Sequence, residues 1–379
     1  MRVLHVHERA GFYGGVEQIL YDTARGLGDL GWPQGLLHSD PEAQPEFLAA
    51  FAQASHRESV LRGFAPDVLF LHKVEESERV QSLSARLPAV RMVHDHDLVC
   101  LRRHKYFPIS TRVCDRPAGV ACYLHLCFLQ KSGAGSRIPI RLAGVGERRR
   151  AIRAHGGVRR FLVGSEWMRR ELVINGIPAE RVEIVPPIPA ALAEIRSAPP
   201  SDAPEILFVG QVIRGKGVDL LLRALARVPP PWHATVVGTG SHLETCKGLA
   251  RDLGIGERVH FAGWVPHGGL TRFYVDAALT VVPSRWPEPF GMVGIEAMAR
   301  GRPVVGFAVG GIPDWLEDEV TGLLVPEADT GAMAAAIGRL LQDRSLRERL
   351  GEAAKERVRE RYQPSAYLER LTQILETTA

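Results

Sequence analysis

The sequence predicts an α/β protein with two doubly wound parallel sheets, and three observations lead there. The chain has 379 residues, more than one ordinary core encloses, so two domains are expected. Short apolar runs alternate with longer stretches of helical periodicity, which implies parallel strands covered by helices on both faces. The alternation breaks once, at PPIPAALAEIRSAPPSDAP (Pro186–Pro204), where six prolines forbid a continuous helix or a central strand.

Taken in order, VLHVH, DVLFLH, AVRMVH, RFLVGS and VEIVP read as buried strands of a first domain, residues 1–190. A linker follows at 191–204. EILFVG, WHATVVG, RVHFAG, ALTVVPS, PVVGF and GLLVP read as the strands of a second domain, residues 205–362. The tail PSAYLERLTQILETTA, within 363–379, has Leu368, Leu371 and Ile374 at helical spacing and is expected to form a last helix crossing back to the first domain. MRVLHVHE opens directly as a strand, without a basic-then-apolar leader, and no apolar run approaches bilayer length. Five cysteines give no secreted disulfide framework, and a hydrophobic share of 45% is that of a globular protein. The expectation is a cytoplasmic protein.

In open parallel sheets ligands bind beyond the C-terminal ends of the strands, so the loops there carry the chemistry. The loop SRWPEPFGMVGIEAMARGRPVVGF (Ser284–Phe307) holds two carboxylates eight positions apart, Glu288 between two prolines and Glu296 inside the following helix. Phe290, Gly291 and Met292 open that helix, whose first N–H groups lack internal partners and favour a phosphate. Carboxylates would repel the phosphate itself, so both are expected to bind hydroxyls on either side of it. A nucleoside-diphosphate sugar has hydroxyls on both sides of its diphosphate. LFVGQVIRGKGVDLLLRAL places Lys216 at the next strand end, where its ammonium would neutralise a diphosphate leaving group.

PSRWPEPFGMVGIEAMARGRPVV resembles the E-x7-E signature of retaining GT-B glycosyltransferases, the family 4-like bacterial group 1 enzymes. The resemblance spans most of the chain and is strongest in the second half. It implies two Rossmann-like domains facing across a cleft, with donor on the second and acceptor on the first. It gives Glu288 the donor sugar hydroxyls, Glu296 the ribose, and the backbone of Phe290, Gly291 and Met292 the phosphates. The family has arginine where this chain has Gln211, and Arg214 is a candidate for the missing guanidinium. Gly238, in VVGTGSHLE, resembles the family's loop beside the nucleotide, and Val265, in FAGWVPH, the segment that meets the base. In HERAGFYGGVEQIL, Gly14 and Gly15 resemble the glycine pair that closes over the donor phosphate. His94, in AVRMVHDHDLVC, resembles the cleft histidine near the anomeric carbon. Strand alternation would put His94 and His96 on one face, but two histidines fall short of a metal ligand set, and Asp95 and Asp97 read as turn caps.

The reaction so implied needs no cofactor. The sugar passes with retention to an acceptor hydroxyl, and the leaving phosphate takes the proton. The acceptor is a carbohydrate or a lipid-linked glycan, in cell-surface polysaccharide or glycolipid synthesis. Alternatives on the same fold are a nucleotide-sugar epimerase or a glycan phosphorylase, although no cofactor-lysine motif is found for the latter. A catalytically idle binding module is the third alternative, against which Glu288, Glu296 and Lys216 all stand.

An insert at about 97–155 adds two features. Cys100, Cys114, Cys122 and Cys127 cluster there with gaps of thirteen, seven and four residues. That spacing leaves structural zinc and plain unpaired thiols both open. From Leu101 to Arg170 there are 16 Lys/Arg against three acidic residues, a local charge of +13 in a chain whose net charge is +4. Solvated helix faces explain such a run, and so does an anionic membrane surface under a peripheral enzyme, met by Arg148, Arg149 and Arg150. Nucleic acid fits less well, because no aromatic-interleaved motif accompanies the charge.

Overall fold

The computed structural model describes residues 1–131, 140–194 and 203–379. Most of the linker expected at 191–204, and the middle of the insert, lie outside the described residues. The chain divides into two compact units. One comprises Met1–Ile109, Asp115–Ala193 and Pro364–Ala379, the other Ser110–Cys114 and Glu194–Gln363.

The first unit contains β1 (Val3–Val6), β2 (Gln34–Leu37), β3 (Gln53–Ser55), β4 (Val68–Leu71), β5 (Ala89–Val93), β6 (Leu129–Lys131), β7 (Ile140–Leu142), β8 (Arg160–Val163) and β9 (Val182–Ile184). Seven of these make one parallel sheet in the order β3-β2-β1-β4-β5-β8-β9, while β6 and β7 form a separate antiparallel hairpin. The central strands are buried on both faces, so they read as continuous Val, Leu and Phe runs. The last helix, Pro364–Thr378, packs on the helix Gly15–Asp29. Thr23 and Tyr367 share a hydrogen bond of 3.0 Å, and Leu368 fills the space a Cβ on Gly26 would need. The insert is anchored by a buried Lys105–Glu171 ion pair of 2.6 Å.

The second unit contains β10 (Glu205–Val209), β11 (His233–Val237), β12 (Val259–Gly263), β13 (Leu279–Val282), β14 (Val304–Phe307) and β15 (Gly322–Val325). All pair in parallel in the order β12-β11-β10-β13-β14-β15, the doubly wound Rossmann order. The two-sheet α/β architecture expected from the sequence is therefore present. In each sheet the strand order reverses once, between β1 and β4 and between β10 and β13. Loops leaving those strands at their C-terminal ends diverge around a crevice. Among the described residues no helix is long and apolar enough to cross a membrane.

Two buried histidines link this packing to pH. Burial lowers His5 to about 4, and burial with the neighbouring Arg91 guanidinium lowers His155 to about 3. His155 Nδ1 faces the Ala151 carbonyl at 2.6 Å, which leaves Nε2 to accept from Arg91. Both rings are thus neutral in the fold, whereas an unfolded histidine titrates near 6.5. Below that value the unfolded chain binds more protons. Stability is therefore full above about pH 6.5 and is lost toward pH 3, by about 1.4 kcal/mol per pH unit for each ring. Urea midpoints measured from pH 7.5 down to pH 4 should fall steadily below about 6.5. A flat profile would mean the two rings take up protons without unfolding.

Candidate active site

In the second unit, β10 and β13 are neighbours at the reversal, and the loops leaving them are bound to each other. The turn Arg214–Lys216 ends on Gly217, whose φ of +72° suits glycine and starts the helix Val218–Leu225. Lys216 Nζ donates to both carboxylate oxygens of Glu288, at 2.7 and 2.9 Å. Ser284 Oγ donates to Glu288 Oε1 at 2.5 Å. The Trp286 N–H donates to the Gly215 carbonyl at 2.8 Å. Arg285 then clamps the two loops from beneath. Its guanidinium takes Asp219 through two bonds of 2.7 and 2.6 Å, and the Arg214 carbonyl at 2.8 Å. Burial by itself would raise the Asp219 carboxyl, but the Arg285 pair holds it below its ordinary value.

A third loop reaches the same place. Gly310, after β14, lies so close that a Cβ there would sit 2.4 Å from Glu288 N, and the Gly311 N–H donates to the Glu288 carbonyl at 2.7 Å. Glu288 is only 5% exposed, so its carboxylate is fixed by backbone as well as by Lys216. Gly291 follows in the left-handed region, φ +100°, and starts the helix Met292–Ala299. Phe290 turns its ring into the core against Tyr362, and its carbonyl accepts from Trp315 Nε1 at 2.6 Å. What Phe290, Gly291 and Met292 can offer a ligand is therefore backbone at a helix start.

Glu296 lies one helix turn further on, 7% exposed, accepting from the Tyr274 hydroxyl at 3.0 Å. Burial, with the carboxylate beside it, pushes the Tyr274 hydroxyl well above its ordinary pKa, so it stays a donor. Arg300 stacks on the Tyr274 ring at 4.6 Å. Gln211 and Arg214 are both exposed on the loop after β10. Gly238, φ +134°, braces that loop, since a Cβ there would fall 1.9 Å from the Gly210 carbonyl. Val265 is half-buried beyond the edge strand β12, two strands from β10.

The first unit holds the other expected residues. Gly14 precedes the helix Gly15–Asp29 in extended backbone, and its position would meet Glu17 Oε2 at 3.4 Å. Glu17 Oε1 is 3.2 Å from His7 Nε2. His94 follows β5, and its Nε2 is 3.1 Å from His72 Nδ1. His94 and His96 do not share a face, because β5 ends at Val93 and the alternation stops. His96 packs edge-on to Trp167 instead. Asp95 accepts from the Asp97 N–H at 2.7 Å, forming the expected turn, and also pairs with Lys73. Asp97 pairs with the buried Arg91.

The structure bears on two features of the insert. None of Cys100, Cys114, Cys122 and Cys127 is in a disulfide. Among the described residues no three His, Cys, Asp or Glu side chains gather as a metal ion would require, so the geometry gives zinc no support. Arg148 is half-buried and donates to the Asp97 carbonyl. Of the three arginines in a row, only Arg149 and Arg150 are exposed.

Comparison with known proteins agrees with the second-unit geometry. Residues 193–357 match the family described as glycosyl transferases group 1. This part of the chain belongs to that family. The chain is 38% identical over 216 residues to a D-inositol 3-phosphate glycosyltransferase of Acidothermus cellulolyticus, covering 51% of this chain and 48% of that protein. It is 35% identical over 177 residues to the lipopolysaccharide core biosynthesis glycosyltransferase LpsE of Rhizobium meliloti, covering 46% and 51%. The chain thus spans about half the length of the curated relatives it matches. Sucrose-phosphate synthase of Thermosynechococcus elongatus has a TM-score of 0.76 at 22% identity, covering 100% of this chain and 98% of that one. Anabaena HepE in complex with UDP-glucose has a TM-score of 0.75 at 19% identity, covering 100% of both chains. These likenesses show the GT-B fold.

Within the group 1 domain, sequence reasoning passed over Ser284, Tyr274, the Asp219–Arg285 pair and the Gly310–Gly311 turn. The last had a visible signal, a Gly-Gly pair directly after the strand PVVGF. Gly217 tests how tightly the loops are fixed. A Cβ there would lie 1.8 Å from the Pro283 carbonyl, backbone that cannot step aside. Gly217→Ala should lower stability by roughly 1–3 kcal/mol, read as a lower urea midpoint. An unchanged midpoint would mean the Pro283 loop yields freely.

Proposed function

We propose that this protein is a retaining glycosyltransferase that moves a sugar from a nucleoside-diphosphate sugar to an acceptor hydroxyl. One observation carries the reading: Lys216 and Glu288 meet at the strand reversal beside the glycine-started helix Met292–Ala299. The helix start and the Lys216 ammonium suit a diphosphate, and Glu288 and Glu296 suit hydroxyls flanking it. An ammonium has three N–H donors, so Lys216 can keep Glu288 oriented while it turns a proton to a phosphate oxygen. Arg214 supplies further positive charge, and Gln211, Gly238 and Val265 border the nucleotide.

In the step itself the bond between the anomeric carbon and the phosphate oxygen breaks, and the nucleoside diphosphate leaves with the electron pair. The acceptor oxygen bonds to the same face of that carbon, and its proton passes to the departing phosphate. Lys216 and the helix start stabilise the charge that develops there. Positioning supplies the rest. The lipopolysaccharide and inositol-phosphate relatives favour an acceptor in surface-glycan or glycolipid synthesis.

Screening sugar nucleotides for nucleoside diphosphate release should find a donor. Lys216→Met and Glu288→Gln should each cut that release by roughly a hundredfold or more, with the fold intact. Undiminished release from Lys216→Met would remove its role on the leaving group.

The insert supports a place on the cytoplasmic face of a membrane. Val120 and Leu124, four apart on the helix Val120–Leu124, are 73% and 74% exposed. On the hairpin, Leu129 and Leu142 are directly paired, Ile140 shares their face, and all three are exposed. Exposed Arg149 and Arg150 add positive charge on the same unit. Leu124→Asp with Leu142→Asp should weaken co-sedimentation with vesicles containing anionic lipid. Arg149→Gln and Arg150→Gln should each weaken it about fivefold at low salt. Binding unaltered by all four changes would remove this part of the insert from any membrane contact.

A further inference from the structure

The first unit buries a row of imidazoles. His5 lies in β1, His72 directly after β4 and His94 directly after β5, and these three strands are neighbours in the sheet. His5 Nδ1 is 3.0 Å from His72 Nε2, and His72 Nδ1 is 3.1 Å from His94 Nε2. The ring planes lie within 12° and 18° of parallel, with centroids 5.3 and 5.4 Å apart. Those values let each N–H lie in the plane of its ring and point along the next ring's lone pair. At the far end, His5 Nε2 is 2.8 Å from Gln34 Oε1, and Gln34 Nε2 donates to the Trp32 carbonyl at 2.8 Å.

This row can run in only one direction. The Trp32 carbonyl accepts and cannot donate, so the Gln34 amide must turn its NH2 there and its oxygen to His5. His5 Nε2 therefore carries a proton. A neutral imidazole has one donor and one acceptor, so His5 Nδ1 accepts from His72 Nε2. By the same step His72 Nδ1 accepts from His94 Nε2. All three rings are neutral near pH 7, because burial first of all lowers His5 to about 4, His94 to about 3 and His72 well below its ordinary value. His7, edge-on to His72, has partners of its own. Its Nδ1 accepts from the Lys73 N–H at 3.2 Å and its Nε2 faces Glu17, so it does not interrupt the row. Polar rings in a core are costly when their bonds are unmade, and this one direction makes every bond within the row.

We propose that Gln34, His5 and His72 are positioning residues that hold His94 with its proton on Nε2, leaving Nδ1 as its bare acceptor. Such an atom takes a hydrogen bond from a hydroxyl and repels an anionic oxygen. It suits a sugar hydroxyl and not a phosphate, a use that rests on the glycosyl-transfer reading. The tautomer itself does not rest on it, and can be read without any donor.

The test is a long-range proton–nitrogen correlation spectrum of the full chain labelled with 15N histidine, at pH 7 and without substrate. His5, His72 and His94 should each show a protonated Nε2 and a pyridine-type Nδ1. Assignment comes from His5→Gln, His72→Phe and His94→Gln, each deleting one set of signals. Gln34→Met, close in volume but lacking the amide, should replace the single His94 tautomer with a mixture. A protonated Nδ1 on His94 in the unsubstituted protein overturns the proposal, and that spectrum suffices if Gln34→Met does not fold. A His94 tautomer unmoved in folded Gln34→Met overturns it as well. If the tautomers are as stated and no sugar nucleotide shifts His94 Nδ1, the relay stands and the assignment of His94 to the sugar fails.

Discussion

The contact between Lys216 and Glu288 is the constraint on which the second unit's site depends. It joins the loops of two neighbouring strands through side chains 72 positions apart in the chain. A pair with a buried carboxylate and a half-buried ammonium gains little stability by itself, since desolvation offsets much of the attraction. Its geometry is instead maintained by its surroundings. Arg285 grips Asp219 and the Arg214 carbonyl, Trp286 bonds Gly215, and Gly310 presses on the Glu288 backbone. A ligand arriving there meets charges that are already oriented, which is where electrostatic catalysis draws its advantage over water.

The two units solve the same positioning problem with different chemistry. In the second, full charges are paired and held by glycine turns that admit no side chain. In the first, neutral rings are linked by hydrogen bonds whose direction is set at one end by an amide. Both arrangements sit where the strand order reverses, β10 beside β13 and β1 beside β4 beside β5. The reversal is thus more than an open crevice. It lets residues distant in sequence meet on adjacent strand ends, with rigid sheet beneath each of them.

Much of this was legible in the sequence because its signals are local. Glu288, Glu296, Gly291 and Lys216 stand in short motifs at strand ends, and turn chemistry places them. β2 and β3 were not legible, because QGLL and QAS are short and lack the branched, apolar runs that mark the other strands. Ser284, Arg285 and Asp219 escaped notice because each looks ordinary alone, and only the folded loops bring them together. His94 and His96 were placed on one face by extending alternation past Val93, where the strand had already ended. The cysteines of the insert left two readings open, because closeness along the chain does not by itself make a ligand set, and among the described residues no such set gathers.

The histidine row shows why such sites resist reading from sequence alone. His5, His72 and His94 are separated by 67 and 22 positions, and nothing in their spacing hints at a shared line. Gln34 is less visible still, being an uncharged amide in a short strand. Yet the proton on His94 follows from the orientation of that amide, because each neutral ring passes the requirement to the next. A substitution at Gln34, three side chains away, therefore changes what His94 can accept without altering His94 or its immediate neighbour. Specificity for a hydroxyl over an anion can be set in the core of a sheet rather than at the surface the ligand touches.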